Sequence, residues 1–242
     1  MASDPVTYRE SSPPPALSDH VAAVWVRDGV PDGSPPLRVV PDGSADIIWR
    51  QDGRSVTTFT AGPDTGAQLA PLAEGSRMVG IRFAPGAADA VLGIPLDALR
   101  DQRVPLGELW GAVAEELAER LALADQPEAA LAAAVQERVT EAPDPTAAAI
   151  ARQLEFAAGP GVVSGVADDV GVSERQLQRR CRTAFGYGPK TLHKVLRFQR
   201  ALRLARAGGR LADVAAVVGY ADQAHMARDT RRLAGVPLTD LL

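Results

Sequence analysis

The sequence predicts an α+β chain in three parts. An antiparallel β-barrel or sandwich, cupin-like in form, is expected over residues 1–104, a helical connector over 105–143, and an all-α domain with two helix-turn-helix units over 144–242. Three observations predict this order: short apolar runs separated by Asp-Gly pairs, then alanine- and leucine-rich segments of helical periodicity, then a degenerate internal repeat.

The strands of the first part are predicted by five short apolar runs, at Val21–Val26, Leu37–Val40, Asp46–Trp49, Val56–Thr60 and Met78–Phe83. Asp-Gly pairs at Asp32, Asp42 and Asp52 recur every ten residues. Because Asp-Gly tolerates the positive φ of tight hairpin turns, this spacing predicts an antiparallel meander that closes into a small barrel or sandwich.

The helices of the middle part follow Pro85. A short helix is expected at Pro95–Arg100, and longer ones at Leu106–Asp125 and Glu128–Thr140, where apolar residues recur at helical spacing. The segment 141–145 breaks the pattern and marks the domain boundary. Asp144 followed by Pro145 is a typical start for a helix over Thr146–Ala158.

The C-terminal repeat has an offset of 48–49 residues, which relates Ala167 to Ala215, Gly171 to Gly219, Leu177 to Met226 and Gly186 to Gly235. In each copy a small residue allows two helices to approach, and a glycine four residues later makes a sharp turn. A polar N-cap then opens a second helix. The pattern predicts two helix-turn-helix units.

The second helix of each copy has a polar outer face. In the first copy, Ser173 to Gln176 fits a capping box, Leu177, Cys181 and Phe185 point inward, and Arg175, Gln178, Arg179 and Arg182 point outward. In the second copy Asp222 is the expected cap, and the outward residues are Gln223, Arg228, Arg231 and Arg232.

A helix of about 20 residues is expected between the copies, at Gly188–Ala207, with a length of ~30 Å. Successive major grooves on one face of B-DNA lie ~34 Å apart. A spacer of this length could place both second helices in adjacent grooves. The alternative is a helical bundle whose arginines only face water.

The charge distribution supports a polyanion partner for this part. The whole chain has a net charge of −4, yet residues 161–242 hold 14 basic and 7 acidic residues. Only two of the 26 basic residues of the chain are lysines. Arginine suits bidentate contacts to guanine and phosphate.

From about Pro145 to Leu242, the sequence resembles the AraC/XylS family of transcriptional regulators. The resemblance rests on Ser173…Leu177-Gln178-Arg179…Phe185-Gly186…Pro189, Arg197…Ala201…Leu204, and Asp213-Val214-Ala215…Gly219-Tyr220-Ala221-Asp222-Gln223. It implies base contacts by Arg175, Gln178 and Arg179 in one groove and by Gln223, Ala224, Ala227 and Arg228 in the next. Beside these, Arg182, Lys190, Arg231 and Arg232 are the candidate phosphate contacts.

The second unit departs from the family pattern. Thr230 stands where the family usually has an aromatic core residue, Asp229 precedes it, and Pro237-Leu238 replaces the usual small-residue–proline order. Ala224 and Ala227 offer only methyl contacts, for instance to thymine. This unit is therefore expected to read fewer bases, or to be less stable, than the first.

The N-terminal half is similar to a small β-barrel sensor domain found in a subset of these regulators. The similarity lies in Pro41-Asp42-Gly43-Ser44-Ala45-Asp46-Ile47-Ile48-Trp49, Ala61-Gly62-Pro63 and Gly80-Ile81-Arg82-Phe83-Ala84-Pro85-Gly86. It names no ligand. The tryptophans of this half (Trp25, Trp49 and Trp110) could line a pocket or fill the core.

The composition speaks against catalysis and against a membrane protein. The only histidines are His20, His193 and His225, too few to build a metal site in the barrel. Cys181 falls on an apolar stripe, and neither a nucleophile elbow nor a phosphate loop occurs. No stretch approaches the ~20 apolar residues of a membrane span. We therefore expect a soluble, cytoplasmic protein without catalytic residues, metal or cofactor.

These patterns predict a sequence-specific, DNA-binding transcriptional regulator that reads two adjacent major grooves. Its candidate partners are double-stranded DNA, a small-molecule effector in the N-terminal domain, RNA polymerase and a second copy of the chain, with no membrane. The resemblance implies activation more often than repression. The alternative is a ligand carrier or adaptor whose basic helical half binds an acidic protein. Arg197 is expected to form an ion pair with Asp213 between two helices.

Overall fold

The computed structural model describes residues 7–31 and 33–242. Within these residues, the N-terminal part contains eight strands: β1 (Thr7–Ser11), β2 (Val21–Asp28), β3 (Leu37–Val39), β4 (Asp46–Asp52), β5 (Ser55–Ala61), β6 (Gln68–Ala70), β7 (Arg77–Phe83) and β8 (Arg103–Pro105). Each of the five apolar runs forms a strand, as predicted. The alternation of apolar and polar residues is too short to reveal β1, β6 and β8 in the sequence.

The strands form two antiparallel sheets. A six-stranded sheet has the order β1-β2-β7-β4-β5-β8, and β3 pairs with β6 beside it. The expected meander is wrong, because β7 lies between β2 and β4 instead of at an edge. Alternate residues of β4 and β7, among them Ile47, Trp49 and Val79, point into the hydrophobic core of this part.

The Asp-Gly pairs have different roles. Gly53, with φ 58°, opens a two-residue hairpin loop between β4 and β5, since Asp52 pairs with Ser55. Gly43, with φ 84°, instead joins strands of different sheets. The turn expected at Asp32-Gly33 includes Asp32, which lies outside the described residues.

Four helices pack around the large sheet: α1 (Ala88–Leu92), α2 (Leu106–Trp110), α3 (Ala112–Leu123) and α4 (Pro127–Arg138). The helix expected over Leu106–Asp125 is divided at Gly111, whose φ of 61° and ψ of −143° interrupt the helical backbone. The short helix expected at Pro95–Arg100 is a single 3-10 turn, Leu96–Ala98.

The C-terminal part has six helices and its own core: α5 (Pro145–Phe156), α6 (Val162–Asp169), α7 (Glu174–Phe185), α8 (Pro189–Arg206), α9 (Leu211–Val217) and α10 (Gln223–Ala234). A 3-10 turn at Leu238–Leu241 ends the chain. The carboxylate of Asp144 accepts a hydrogen bond from the Thr146 N–H at 2.8 Å, which confirms the predicted cap of α5. The α+β class is confirmed. Within the described ranges, no helix combines the length and apolar character that crossing a membrane requires.

Candidate nucleic-acid interface

The two copies of the repeat fold into equivalent helix-turn-helix units. In the first, Gly171 has φ 68° between α6 and α7, and the next N–H, of Val172, donates to the Ala167 carbonyl at 2.9 Å. In the second, Gly219 has φ 81° between α9 and α10, and the N–H of Tyr220 donates to the Ala215 carbonyl at 2.9 Å. The same backbone bond therefore closes both turns.

The second helices also start and end alike. Ser173 Oγ accepts from the Gln176 N–H at 3.3 Å while Gln176 Oε1 accepts from the Ser173 N–H at 2.9 Å, so the predicted capping box is present. Asp222 accepts from the His225 N–H at 2.6 Å. Both α7 and α10 have 12 residues. The following residues, Gly186 and Gly235, adopt left-handed conformations.

The buried faces of the two helices differ in size. Leu177, Cys181 and Phe185 of α7 are completely buried. Cys181 belongs to the hydrophobic core, and its burial raises the pKa of the thiol to about 12. At the positions equivalent to Cys181 and Phe185, α10 has Thr230 and Ala234, which fill less apolar space.

The predicted DNA contacts lie on the opposite faces. All eleven side chains are exposed except Gln178, which is half-buried: Arg175, Gln178, Arg179, Arg182 and Lys190 in the first unit, and Gln223, Ala224, Ala227, Arg228, Arg231 and Arg232 in the second. The Gln178 amide packs against Gly188, where a Cβ would lie 2.4 Å from its Nε2. The structure brings four of the first set together around one cleft: Arg175, Gln178, Arg182 and Lys190. That these side chains contact bases or phosphates stays a prediction.

Several other arginines of the basic part are bound within the protein. Arg180 pairs with Asp144 at 2.7 Å, and the guanidinium of Arg206 donates to the Leu241 carbonyl at 3.0 Å. A further pair joins Arg203 and Glu155. The positive charge that remains unpaired on this part is therefore smaller than the count of arginines in the sequence indicates.

The expected ion pair between Arg197 and Asp213 is wrong. Arg197 Nη2 lies 2.8 Å from Asp229 Oδ2, and its guanidinium stacks over the Tyr220 ring at 3.9 Å. Asp213 lies instead 3.9 Å from the exposed Arg210. The pair with Asp229 is largely shielded from water and joins α8 to α10, while the stacking on Tyr220 joins α8 to the turn before α10.

Both second helices end against an arginine of the N-terminal part. Arg100 Nη1 donates to the carbonyl of Gly186 at 3.2 Å, and Arg38 Nη1 donates to the carbonyl of Ala234 at 2.9 Å. Cations are favourable at helix C-termini because the last carbonyls carry partial negative charge. Sequence reasoning missed both arginines, since they lie 86 and 196 residues from their partners and no local pattern marks them.

A cavity of about 430 Å³ lies between the large sheet and α8. We call it the interdomain cavity; residues of both parts line it, among them Trp25, Phe59, Arg82, Gln199 and Arg206. Near its rim, Gln199 Nε2 donates to the Pro41 carbonyl at 2.5 Å. The cavity thus borders the contact between the two parts of the chain.

One wall of the interdomain cavity holds a cluster of charges. Arg82 lies 3.0 Å from Glu10, 3.3 Å from Asp42 and 3.6 Å from Asp46. Trp25 Nε1 donates to Asp46 at 2.8 Å. Burial raises the pKa of Asp46 to about 7, although Arg82 acts in the opposite direction. The signal in the sequence that could have revealed this cluster is the presence of two charged residues, Asp46 and Arg82, in the otherwise apolar runs of β4 and β7.

The three histidines lie apart from one another. His20 Nε2 is 2.8 Å from the Glu141 carbonyl, and His193 Nδ1 is 2.8 Å from the Leu154 carbonyl. Burial lowers the pKa of His193. His225 is half-buried on α10. Across the part of the chain that the structure describes, no group of three His, Cys, Asp or Glu side chains could hold a metal ion.

Comparison with known protein families gives two matches. Residues 166–242 match a family described as a helix-turn-helix domain, and residues 9–105 match a domain of unknown function, DUF6597. No curated protein matches the chain.

Similar solved structures include ToxT from Vibrio cholerae O395, which is 10% identical with a TM-score of 0.48, over 90% of this chain and 95% of that one. Unsaturated-fatty-acid-bound wild-type ToxT from Vibrio cholerae strain SCE256 is 12% identical with a TM-score of 0.47, over 99% of this chain and 96% of that one. The C-terminal domain of AraT, a response regulator from Geobacillus stearothermophilus, is 20% identical with a TM-score of 0.37, over 40% of this chain and 84% of that one.

Proposed function

We propose that this chain is a DNA-binding transcription regulator of the AraC type, and that the two units of its helix-turn-helix domain read adjacent major grooves of one operator. The observation that carries the proposal is the equivalence of α7 and α10. They have the same length, the same turn before them and polar outer faces, and a single helix joins their units.

The length of α8 supports simultaneous binding. Its 18 residues extend over about 27 Å. Groove centres on one face of the duplex are ~34 Å apart. The difference between this spacing and the length of α8 is small enough to be covered by the turns at the two ends of α8. We propose that Arg175, Gln178 and Arg179 read bases in one groove, and that Gln223 and Arg228 do so in the next.

The two units are proposed to contribute unequally. The outer face of α7 offers two arginines and a glutamine at its base-reading positions, whereas α10 offers Ala224 and Ala227 between Gln223 and Arg228. Methyl groups discriminate only by contact with thymine or by steric exclusion. Sequence preference should therefore be stronger in the half-site bound by α7.

The experiment begins with selection of bound sites from a randomised 30-bp duplex library by the full chain. Arg179→Ala is expected to lose ~1–3 kcal/mol of binding free energy on the selected duplex, because a bidentate base contact is removed, and little on a scrambled one. The matched control is Arg180→Ala, since Arg180 is occupied by Asp144. Equal losses on both duplexes would make Arg179 a phosphate contact. Failure to select any preferred sequence would overturn the proposal.

We further propose a binding rather than a catalytic role for the N-terminal part, with a small-molecule effector in the interdomain cavity. A volume of about 430 Å³ suits a small organic ligand. Its position between the sheet and α8 would allow a ligand to alter the contact between the two parts. A ligand from a compound library should raise the melting temperature of the chain. The variant Ala61→Phe, which fills the cavity, should abolish that rise, and an undiminished rise would place the ligand elsewhere.

A further inference from the structure

The cleft around Arg175, Gln178, Arg182 and Lys190 has a volume of about 660 Å³ and lies between the first helix-turn-helix unit and the N-terminal part. We call it the basic cleft. Its walls hold four exposed cations and one exposed carboxylate: Arg100, Arg175, Arg182, Lys190 and Glu174. Among the described residues, none of these four cations forms an ion pair. The cleft therefore has a strong excess of uncompensated positive charge.

One of the four cations comes from the N-terminal part. Arg100 donates from Nη1 to the Gly186 carbonyl at 3.2 Å, and this is the one hydrogen bond that its guanidinium makes within the described residues. A guanidinium has five N–H donors. The bond to the end of α7 thus fixes the position of the group and leaves donors and charge available to a ligand.

The backbone beside Arg100 is held in an unusual conformation. Asp101 has φ 58°, the one positive φ outside glycine among the described residues. Its carboxylate accepts hydrogen bonds from the Thr65 N–H at 2.6 Å and the Thr65 hydroxyl at 2.9 Å. Left-handed backbone at a non-glycine residue persists where its surroundings hold it, and it is common at binding sites. These contacts also direct the Asp101 carboxylate to Thr65, so that Arg100 stays unpaired.

We propose that the N-terminal part belongs to the DNA interface, and that Arg100 contacts a phosphate of the strand bordering the groove that α7 reads. The inference rests on the proposed function, because Arg175 and Gln178 line the same cleft and are the predicted base contacts. Because Arg175 and Gln178 line the cleft together with Arg100, a duplex bound by α7 would place its backbone, with one negative charge per ~1.7 Å, close to Arg100. The basic residues of the cleft complement that charge.

The test measures the salt dependence of DNA binding by the full chain, on the selected duplex and on a scrambled 30-bp duplex. Arg100→Gln removes the charge and keeps an N–H donor for Gly186. The slope of log Kobs against log salt concentration should become shallower by about 0.9, with about fivefold weaker binding on both duplexes near 0.15 M salt. Arg100→Lys should retain the slope. The matched control is Arg54→Gln, an exposed arginine at the β4–β5 turn, which should bind like the original chain.

The outcomes separate this inference from the proposed function. A selected sequence with an unchanged slope in Arg100→Gln overturns the phosphate contact alone. A lower melting temperature with an unchanged slope does the same, since Arg100 would then only hold α7. Absence of DNA binding by the original chain overturns both proposals. A shallower slope in Arg100→Gln, with retention in Arg100→Lys and Arg54→Gln, supports the inference.

Discussion

The ion pair between Arg197 and Asp229 should be a main support of the second helix-turn-helix unit. Both side chains are 12% exposed and their closest atoms are 2.8 Å apart. Removal of one partner leaves the other charge in a site with little water, which costs about 3–5 kcal/mol for a fully buried pair. Because Arg197 keeps its stacking on Tyr220, we expect Asp229→Ala to lower the free energy of unfolding by about 3 kcal/mol.

Thermal unfolding followed by circular dichroism measures this loss. For a chain of this size, 1 kcal/mol shifts the melting temperature by ~2–4 °C, so a decrease of about 6–12 °C is expected. The matched control is Asp213→Ala, whose partner Arg210 is 3.9 Å away at an exposed site and whose loss should stay below about 1 kcal/mol. The double variant Arg197→Met/Asp229→Ala should lose less than the sum of the single variants. Equal losses for Asp213 and Asp229, or additive single losses, would refute the reasoning.

Two further predictions concern the N-terminal part. Burial raises the pKa of Asp46 to about 7, so the folded chain keeps a proton that the unfolded carboxyl releases near pH ~4, and stability should fall as pH rises between these values. Asp46→Asn, which preserves an acceptor for Trp25, should flatten the fall in melting temperature; an unaltered pH profile would contradict this. Gly80→Ala should cost ~1–3 kcal/mol in chemical denaturation because its Cβ would lie 2.2 Å from the Trp25 ring. Gly107→Ala, with open space around it in α2, should instead stabilise by ~0.5–1 kcal/mol, and equal effects would count against the packing argument.

The parts of the interface that the sequence predicted are those with local causes. The turn glycines, the caps at Ser173 and Asp222, and the outward face of α7 follow from spacings of a few residues. The repeat adds an independent check, because a second copy with the same spacing must satisfy the same steric requirements. For these reasons the turn glycines and the N-caps of both units were predicted at the correct residues.

The errors concern choices among distant partners. Asp213 and Asp229 are both plausible neighbours of Arg197 in the sequence, and only the packing of α10 on α8 brings Asp229 within reach. The insertion of β7 between β2 and β4 is likewise a pairing of strands that are distant in the sequence, which no local pattern specifies. Arg100 was invisible because its role depends on the position of the whole N-terminal part beside α7.

The placement of the three tryptophans has a practical consequence. Trp25 lines the interdomain cavity and its indole N–H is bonded to Asp46, whereas Trp49 and Trp110 belong to the core on which the helices α1–α4 pack. Indole fluorescence responds to nearby charge and polarity. A molecule that displaces or neutralises the Asp46 carboxylate would therefore change the emission of Trp25 and leave that of Trp49 and Trp110 unchanged. With phenylalanine at positions 49 and 110, the chain would become its own optical reporter, suited to finding an unknown ligand without radiolabels or a functional readout.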